Sequence, residues 1–188
     1  MKNELKRCHW VENSIALYQQ YHDEEWGVPV RNDHKLIEML ILESFHTGLS
    51  WLIILKKREA FRLAFDDYDL DKIMAYDDRK VSELLSNAAI VRNKLKILAT
   101  IGNAKAIRCI QSAYGSFAAY LWSFTDQQVV NMVNQPPVTS NALSDRIAKD
   151  FKKKGIGFMG TTTVFAYLQA VGILNCHDAN CFRAGVSD

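Results

Sequence analysis

Long apolar runs and a strong charge imbalance are both missing from this chain of 188 residues. No apolar segment approaches the roughly 18 residues that a membrane-spanning helix needs, and no apolar signal-peptide core follows the charged first residues. We therefore expect a cytoplasmic protein that does not act at a membrane. The net charge of +2 does not mark a nucleic-acid-binding protein, so any basic surface must be local. The local candidates are residues 56–58, 92–96 and 152–154, although runs of this kind are usually solvated helix faces.

Cysteine is also scarce, and four cysteines in an intracellular chain do not indicate a disulfide framework. They are therefore free thiols or metal ligands. Cys8 is followed by His22 near the start of the chain, and His177 precedes Cys181 by four positions near its end. These four side chains together would form a closed, tetrahedral Cys2His2 site of the structural zinc type, joining the two ends of the chain. The two halves lie far apart in sequence, so the spacing alone is a weak signal, and the alternative is two unrelated buried thiols with two surface histidines.

The chain lacks repeats and low-complexity segments, and its most apolar stretch, residues 36–51, predicts a buried helix. Asp33 is the predicted N-cap of this helix and Gly48 the predicted stop. Glu43 lies in the middle of the stretch, where a desolvated carboxylate costs several kcal/mol unless something binds it. Glu43 is therefore a candidate site residue, or else it pairs with an arginine or caps a neighbouring helix within the core.

The remaining pattern is helical, and we expect one domain over residues 1–188, made of two helical lobes that share a cleft. Ser50 can cap a helix that begins at Trp51. The only clear linker is the loop at residues 131–141, which contains Pro136 and Pro137. Helices are predicted over residues 51–63, 69–76, 77–88, 92–110, 116–124, 143–154 and 161–171.

Three glycines, Gly155, Gly157 and Gly160, match the pattern G-x-G-x-x-G that many dinucleotide-binding proteins contain. That interpretation fails because a polar helix ending in lysines precedes the glycines, where the fingerprint requires an apolar strand. A helix, a glycine turn and a second helix instead form a helix-hairpin-helix. The free backbone N–H groups at Thr161 are suited to hold a phosphate, with Lys154 adding positive charge.

Aromatic residues are dense near the N-terminus, where Trp10, Tyr18, Tyr21 and Trp26 fall within seventeen positions. Most aromatic residues this close together belong to a hydrophobic core. They can also form the walls of a pocket for a flat ligand such as a nucleobase.

Taken in order, these motifs resemble the 3-methyladenine DNA glycosylase I family over nearly the whole chain. The resemblance rests on Arg7-Cys8-x-Trp10, Tyr21-His22-Asp23-x-Glu25-Trp26-Gly27-Val28-Pro29, Glu43 with Gly48-Leu49-Ser50-Trp51, Gly160-Thr161-Thr162 and His177-x3-Cys181. It implies an all-α helix-hairpin-helix DNA glycosylase fold. It also implies a structural zinc ion that joins the N- and C-terminal segments through Cys8, His22, His177 and Cys181.

The resemblance further implies base-excision repair, in which 3-methyladenine is flipped out of alkylated double-stranded DNA and its N-glycosidic bond is hydrolysed. Glu43 is then the catalytic residue, while the base is held by Trp10, Tyr18, Tyr21, Trp26, His46 and Trp51. Gly48 and Leu49 resemble the loop that fills the gap left by the flipped nucleotide. Lys154, Gly155, Gly157, Gly160 and Thr161 complete the expected DNA contacts. We expect a monofunctional monomer without a nucleotide cofactor, which releases free 3-methyladenine.

Two features depart from the family pattern. The family usually reads Glu-Gly-x-Gln-Ala-Gly-Leu-Ser-Trp, whereas this chain has Ser44 and His46 at the second and fourth positions. A histidine can carry charge near neutral pH, so base preference is open at this point. Asp178 lies where many helix-hairpin-helix glycosylases have a catalytic aspartate, and it is a minor candidate. Two alternatives remain: a DNA-binding module without activity, and a zinc hydrolase with Glu43 as general base.

Overall fold

A computed structural model describes residues 5–185, so both ends of the domain expected over 1–188 lie partly outside the described range. Within that range the chain forms nine α-helices and one pair of two-residue strands. No helix among these residues is long and apolar enough to cross a bilayer. The elements are α1 (Ala16–Glu24), α2 (Asp33–His46), α3 (Trp51–Ala64), α4 (Leu70–Met74), α5 (Asp78–Ser86), α6 (Lys94–Tyr114), α7 (Phe117–Trp122), β1 (Val130–Asn131), α8 (Ala142–Lys154), α9 (Thr161–Ala170) and β2 (Leu174–Asn175).

Helix α2 is the buried helix that its apolar sequence predicts, since every residue from Leu36 to Phe45 is buried. The predicted N-cap, Asp33, is wrong by one residue, because the side chain of Asn32 accepts the capping hydrogen bond from the Lys35 N–H. Asp33 has another role. Its carboxylate accepts hydrogen bonds from the backbone N–H groups of Phe117 and Ala118, at 2.9 and 2.8 Å, and so joins α2 to the start of α7.

The other predicted helices are present with boundaries shifted by a few residues. Among these, α6 differs most from its predicted range, because it begins two residues later, at Lys94, and ends four residues later, at Tyr114. Ser50 precedes α3 as predicted, but its side chain makes no capping hydrogen bond. Helix α1 was not predicted from any sequence pattern.

The fold departs from the all-α expectation in one short parallel pairing. Val130 of β1 pairs with Leu174 of β2, and Asn131 pairs with Asn175. This pairing fixes the first residue of the loop at residues 131–141 against the C-terminal segment. The loop therefore leaves the core beside the segment that carries His177 and Cys181.

Helices α8 and α9 form the predicted helix-hairpin-helix. Gly155 ends α8 in a left-handed conformation with φ of +88°, which glycine adopts without steric cost. Helix α9 begins at Thr161 as predicted, despite its β-branched first turn. The hairpin, residues 155–160, therefore leads directly into the N-terminus of a helix.

An ion-pair network fixes α3 against α1 and α2. The guanidinium of Arg58 donates two hydrogen bonds to Glu38, at 2.7 and 3.0 Å, and two to Glu25, at 2.7 and 2.9 Å. Lys35 contacts both carboxylates, at 2.7 Å from Glu25 and 3.1 Å from Glu38. Burial opposes ionisation of the two glutamates, but the hydrogen bonds from Arg58 and Lys35 outweigh it and lower both pKa values.

Replacement of Arg58 with methionine is expected to lower the free energy of unfolding by about 3 kcal/mol at neutral pH, measured by urea denaturation. The loss arises because Glu38, which is buried, would keep its charge without its main partner. Lowered carboxyl pKa values stabilise the fold above the unfolded-state pKa, so the effect should shrink as the pH falls through the folded-state values. Arg62→Met is the control, because Arg62 pairs with Glu59 on the exposed surface, and its replacement should leave the free energy of unfolding nearly unchanged. Equal losses in the two variants would contradict the prediction.

Candidate active site and metal site

One cavity of about 570 Å³ brings together the residues predicted to hold a base. Its walls come from the N-terminal segment, α1, α2, the start of α3, the loop at residues 131–141, α9 and the C-terminal segment. The predicted residues that line it are Trp10, Tyr18, Tyr21, Trp26, Glu43, His46 and Trp51. Their role in binding a base stays a prediction, but the fold places all seven around one space.

Glu43 reaches this cavity from the buried face of α2, with its side chain only 4% exposed. Burial raises the pKa of the Glu43 carboxyl above its ordinary value, and a hydrogen bond with His46 opposes the rise. Nδ1 of His46 lies 3.1 Å from Oε2 of Glu43, a distance suited to an N–H donating to a carboxylate. His46 itself is 30% exposed. The site thus has a desolvated acid with one polar protein partner at its edge.

The aromatic side chains form a continuous wall around the carboxylate. Trp10 packs edge-on against Tyr18 and Trp26, with ring centroids 5.0 and 5.1 Å apart. Tyr21 lies 5.5 Å from Trp51, centroid to centroid. The charge of Glu43 contributes to raised pKa values of Tyr18 and Tyr21, after burial as the main cause. Both phenols are therefore close enough to interact electrostatically with the Glu43 carboxylate.

Trp51, which also lines the cavity, has a hydrogen-bond donor that is not paired with an acceptor within residues 5–185. Among the described residues, the buried indole N–H of Trp51 has no hydrogen-bond partner. A buried donor left unpaired costs about 1–3 kcal/mol. In native proteins such a group usually has an explanation, for example a bound water molecule or a functional role. Trp51, which lines the cavity near Glu43, therefore carries a buried donor without a partner among the described residues.

A second cluster, next to this wall, joins the two ends of the chain. Cys8, His22, His177 and Cys181 are all buried, and their ligand atoms all lie within 4.8 Å of one another. Sγ of Cys8 is 3.4 Å from Nδ1 of His177, and Sγ of Cys181 is 3.4 Å from Nε2 of His22. Bond lengths of about 2.3 Å to sulfur and 2.0–2.1 Å to nitrogen in a tetrahedral zinc site give S···N edges of roughly 3.5 Å. The four residues fit such an ion and leave no open coordination position.

Neighbouring groups support this cluster in the way metal ligands require. Nδ1 of His22 lies 2.8 Å from the Asp23 carboxylate, which fixes the ring so that Nε2 faces the cluster. Arg7 in turn donates to Asp23 at 2.7 Å. Burial lowers the pKa of His177 to about 4, so its imidazole is neutral, as a ligand must be.

Gly27 makes the approach of His177 possible. Its φ is +77°, and a Cβ at this position would lie 2.5 Å from Nε2 of His177. Any side chain would therefore displace the imidazole. The Trp26-Gly27 turn thus positions one cavity wall and one cluster ligand together.

Two exposed segments lie beside the cavity and match the predicted DNA contacts. Leu49, in the loop after α2, is 37% exposed. Oγ1 of Thr47 in the same loop lies 3.5 Å from Oγ1 of Thr163 in the first turn of α9. The loop and the start of α9 are therefore neighbours on one side of the molecule.

The side chains of two predicted DNA contacts already have protein partners. The hydroxyl of Thr161 donates to Asp145 and lies 3.2 Å from that of Ser144, so its predicted phosphate contact would come from the backbone N–H. The ammonium of Lys154 lies over the rings of Tyr114 and Tyr120 and 3.9 Å from Asp150. Lys152 and Lys153 are exposed nearby.

The profile of the family described as methyladenine glycosylase matches residues 10–184. The chain belongs to the methyladenine glycosylase family. The match covers the predicted cavity residues, the hairpin and three of the four cluster residues, and it confirms the resemblance that the sequence motifs indicated.

Relatives and solved structures of this glycosylase family agree over nearly full length. DNA-3-methyladenine glycosylase 1 of Escherichia coli strain K12 is 39% identical over 181 residues, covering 94% of this chain and 96% of that protein. A crystal structure of 3-methyladenine DNA glycosylase I has a TM-score of 0.90 and 42% identity, covering 94% of this chain and 98% of that one. The Staphylococcus aureus 3-methyladenine DNA glycosylase I, solved to explain 3-methyladenine recognition, has a TM-score of 0.92 and 32% identity, covering 98% and 99%. The expected helical fold is confirmed.

Sequence reasoning missed several residues of the glycosylase cavity. The loop at residues 131–141, predicted only as a linker, lines one side with Pro136 and Pro137. Phe165 and Gln169, which were predicted only as part of the helix over residues 161–171, line another side. No local pattern distinguishes these residues from ordinary loop and core positions.

Ser44 and His46, the two residues that depart from the family motif, lie in different surroundings. The Ser44 hydroxyl is buried and donates to the backbone carbonyl of Ile41 at 2.7 Å. His46 lines the cavity, as described above. Asp178 also lines it, but its carboxylate accepts hydrogen bonds from the backbone N–H of His9 at 2.7 Å and contacts the ring of His9 at 2.8 Å.

Proposed function

We propose that this protein is a monofunctional DNA glycosylase that releases 3-methyladenine from alkylated double-stranded DNA in base-excision repair. The observation that carries the proposal is the desolvated Glu43 carboxylate in a cavity walled by aromatic rings. Its relatives include DNA-3-methyladenine glycosylases of similar length. The product is the free base, and no nucleotide cofactor is required.

The chemistry suits the residues. Methylation at N3 makes adenine cationic and weakens its bond to the sugar, so its departure as a neutral base needs little general-acid assistance. Glu43 stabilises the positive charge and accepts hydrogen bonds from the base edge. Tyr21, Trp26 and Trp51 supply stacking faces, while Trp10 and Tyr18 complete the wall. Water then attacks the sugar carbon of an oxocarbenium-like species.

The absence of a lyase step is supported by the cavity's composition. Schiff-base chemistry requires an amine beside the sugar carbon, and no lysine lines the cavity in the described part of the chain. An activated water molecule therefore remains as the nucleophile.

DNA is proposed to bind across the loop after α2 and the hairpin between α8 and α9. Gly48 and Leu49 would fill the gap that the flipped nucleotide leaves, because an exposed apolar side chain opposes re-stacking. The hairpin glycines and the backbone N–H of Thr161 would hold one phosphate at the N-terminus of α9. The exposed lysines at the end of α8, beside Lys154, would add charge.

We further propose that the Cys2His2 cluster binds zinc as a structural ion. Two thiolates and two imidazoles are the donor set of structural zinc sites, and the fourfold protein ligation favours a closed site. The same feature argues against the zinc-hydrolase alternative, since a catalytic zinc keeps one position for water. One domain of two lobes around the cleft, a monomeric state and a cytoplasmic location remain predictions.

Release of free bases from methylated duplex DNA tests the function. We expect the wild-type protein to liberate 3-methyladenine, detected by chromatography of the released bases. If DNA is bound but no methylated base is released, the alternative of a DNA-binding module without activity is correct.

The same assay should show that release depends on the ionised form of Glu43. Because burial raises the pKa of the Glu43 carboxyl, wild-type release should fall as the pH is lowered through that pKa. His46→Gln removes the electrostatic contribution of His46 that opposes the rise, so the loss of release should begin at a higher pH in this variant. A pH profile identical in the two proteins would show that His46 does not control the site.

A further inference from the structure

Helix α6 carries a buried polar stripe on one of its faces. Lys96, Thr100 and Asn103 are 6%, 1% and 1% exposed, at spacings of four and three residues that place them along one side of the helix. The Thr100 hydroxyl donates to the carbonyl of Lys96 within the helix. The other two side chains leave the helix and contact the two segments proposed to bind DNA.

Asn103 holds the hairpin by both ends of its amide. Its Oδ1 accepts a hydrogen bond of 2.7 Å from the N–H of Gly157, and its Nδ2 donates one of 3.2 Å to the carbonyl of the same glycine. The amide therefore pairs with the backbone of Gly157 much as a neighbouring β-strand would. A Cβ on Gly157 would lie 3.6 Å from the Ala99 Cβ, so the hairpin packs closely on α6 at this point.

Lys96 holds the loop after α2. Its ammonium donates to the carbonyls of Phe45 and Thr47, both at 2.9 Å, immediately before Gly48 and Leu49. Burial lowers the pKa of Lys96, and no carboxylate among the described residues forms an ion pair with it. Its positive charge instead meets the carbonyl end of α2, where a helix favours cations.

We propose that Lys96 and Asn103 are positioning residues that hold the loop after α2 and the hairpin at residues 155–160 at a fixed separation. Seven residues of α-helix separate them, or about 10 Å along the axis, and α6 is a rigid helix of 21 residues. Neither residue lines the cavity, so both act on the DNA rather than on the base. This inference rests on the proposed function, because that function assigns the two segments to DNA.

The two residues should have different kinetic signatures. Asn103→Leu frees the hairpin, so the protein concentration for half-maximal single-turnover release should rise about tenfold, with the maximal rate within about twofold. Asn103→Asp keeps the acceptor for the Gly157 N–H but places a carboxylate oxygen against the Gly157 carbonyl, so its rise should be at least as large. Lys96→Met frees the loop that opposes re-stacking, so the maximal rate should fall about tenfold with little change in the half-maximal concentration.

Three controls separate positioning from a general structural effect. Lys105→Met removes an exposed lysine from the same helix and should change neither parameter. Binding of free 3-methyladenine, followed by tryptophan fluorescence, should match wild type in every variant because the cavity is untouched. Thermal midpoints measured alongside ensure that each assay is run on folded protein.

The inference is overturned if Asn103→Leu and Lys96→Met behave like wild type, or if each changes both parameters together with free-base binding. Failure of the proposed function gives a different result, because the wild-type protein itself would then release no base. In that case, affinity for a duplex with a reduced abasic site still tests Asn103. The fluorescence of a 2-aminopurine opposite that site tests Lys96. In Lys96→Met the displaced loop would no longer unstack the 2-aminopurine, so the rise in fluorescence on binding should be smaller than with wild type.

Discussion

Glu43→Gln is expected to lower the single-turnover rate of 3-methyladenine release by about a hundredfold. The carboxylate is nearly buried, and it is the charge that the α2 helix brings into the aromatic cavity. A charge in such surroundings is far more effective against a developing positive charge than one in water. Glutamine keeps the shape, but it replaces one acceptor oxygen with an NH2 donor and loses this electrostatic contribution.

The same substitution should stabilise the fold. Because burial raises the pKa of Glu43, the folded state favours the protonated form, and the ionised form destabilises the protein at neutral pH. The stability linked to the protonated form is complete below the unfolded-state pKa and is lost as the pH rises through the higher folded-state pKa. We therefore expect Glu43→Gln to gain about 1 kcal/mol at neutral pH, or about 2–4 °C in thermal midpoint, and to gain nothing at low pH.

Glu38→Gln provides a matched control on the same helix. Glu38 is also buried, and burial acts to raise its pKa. The hydrogen bonds and charges of Arg58 and Lys35 outweigh this effect, so the pKa of Glu38 is lowered. Its replacement should lower stability while leaving base release close to wild type. A loss of release below about threefold in Glu43→Gln, or an equal loss in Glu38→Gln, would refute the assignment of Glu43.

The helices could be predicted because their signals are local. Asp69, Asp77 and Ser116 each stand where a helix was predicted to start, and each side chain accepts hydrogen bonds from N–H groups two or three residues later. Such contacts require no knowledge of the remaining fold. Thr161 shows the limit of propensity, since its β-branched neighbourhood favours a strand in isolation, yet α8 and the hairpin impose a helix.

Long-range contacts escaped prediction for a physical reason. Asp33 was predicted to be a helix cap, but its carboxylate is bonded to residues 84 and 85 positions away in sequence. Lys96 belonged to a basic run that was expected to be a surface feature, yet its ammonium is bonded to carbonyls of the α2 end. In both cases the partner depends on how the helices pack, which no local pattern encodes.

The metal cluster lies between these two cases. Residue types and the His177-x3-Cys181 spacing identified its two halves, but 169 residues separate Cys8 from His177. From the residues alone, two unrelated thiols were the favoured interpretation, and the family resemblance then favoured the joint site. The fold then brings the four ligand atoms together, while the identity of the ion stays a proposal.

Cys181→Ala is expected to abolish binding of the structural ion and to lower the free energy of unfolding by about 3–5 kcal/mol. The ion would join segments at opposite ends of the chain, and its loss would leave three buried ligands without the charge that satisfies them. The cluster also supports the cavity wall, because Trp26 packs edge-on against His177 with ring centroids 4.6 Å apart. Affinity for free 3-methyladenine should therefore fall as well.

Metal content and thermal stability together test this prediction. Wild-type protein should contain about one zinc per chain by elemental analysis, and a strong chelator should lower its thermal midpoint toward that of Cys181→Ala. The midpoint of the variant should not respond to chelator, because its site is already lost. Cys109→Ala is the control, since Cys109 is exposed on α6 and should leave metal content and stability unchanged. Wild-type protein that holds no metal and ignores the chelator would show that the four residues form an ion-free cluster, stabilised only by the hydrogen bonds around the two thiols.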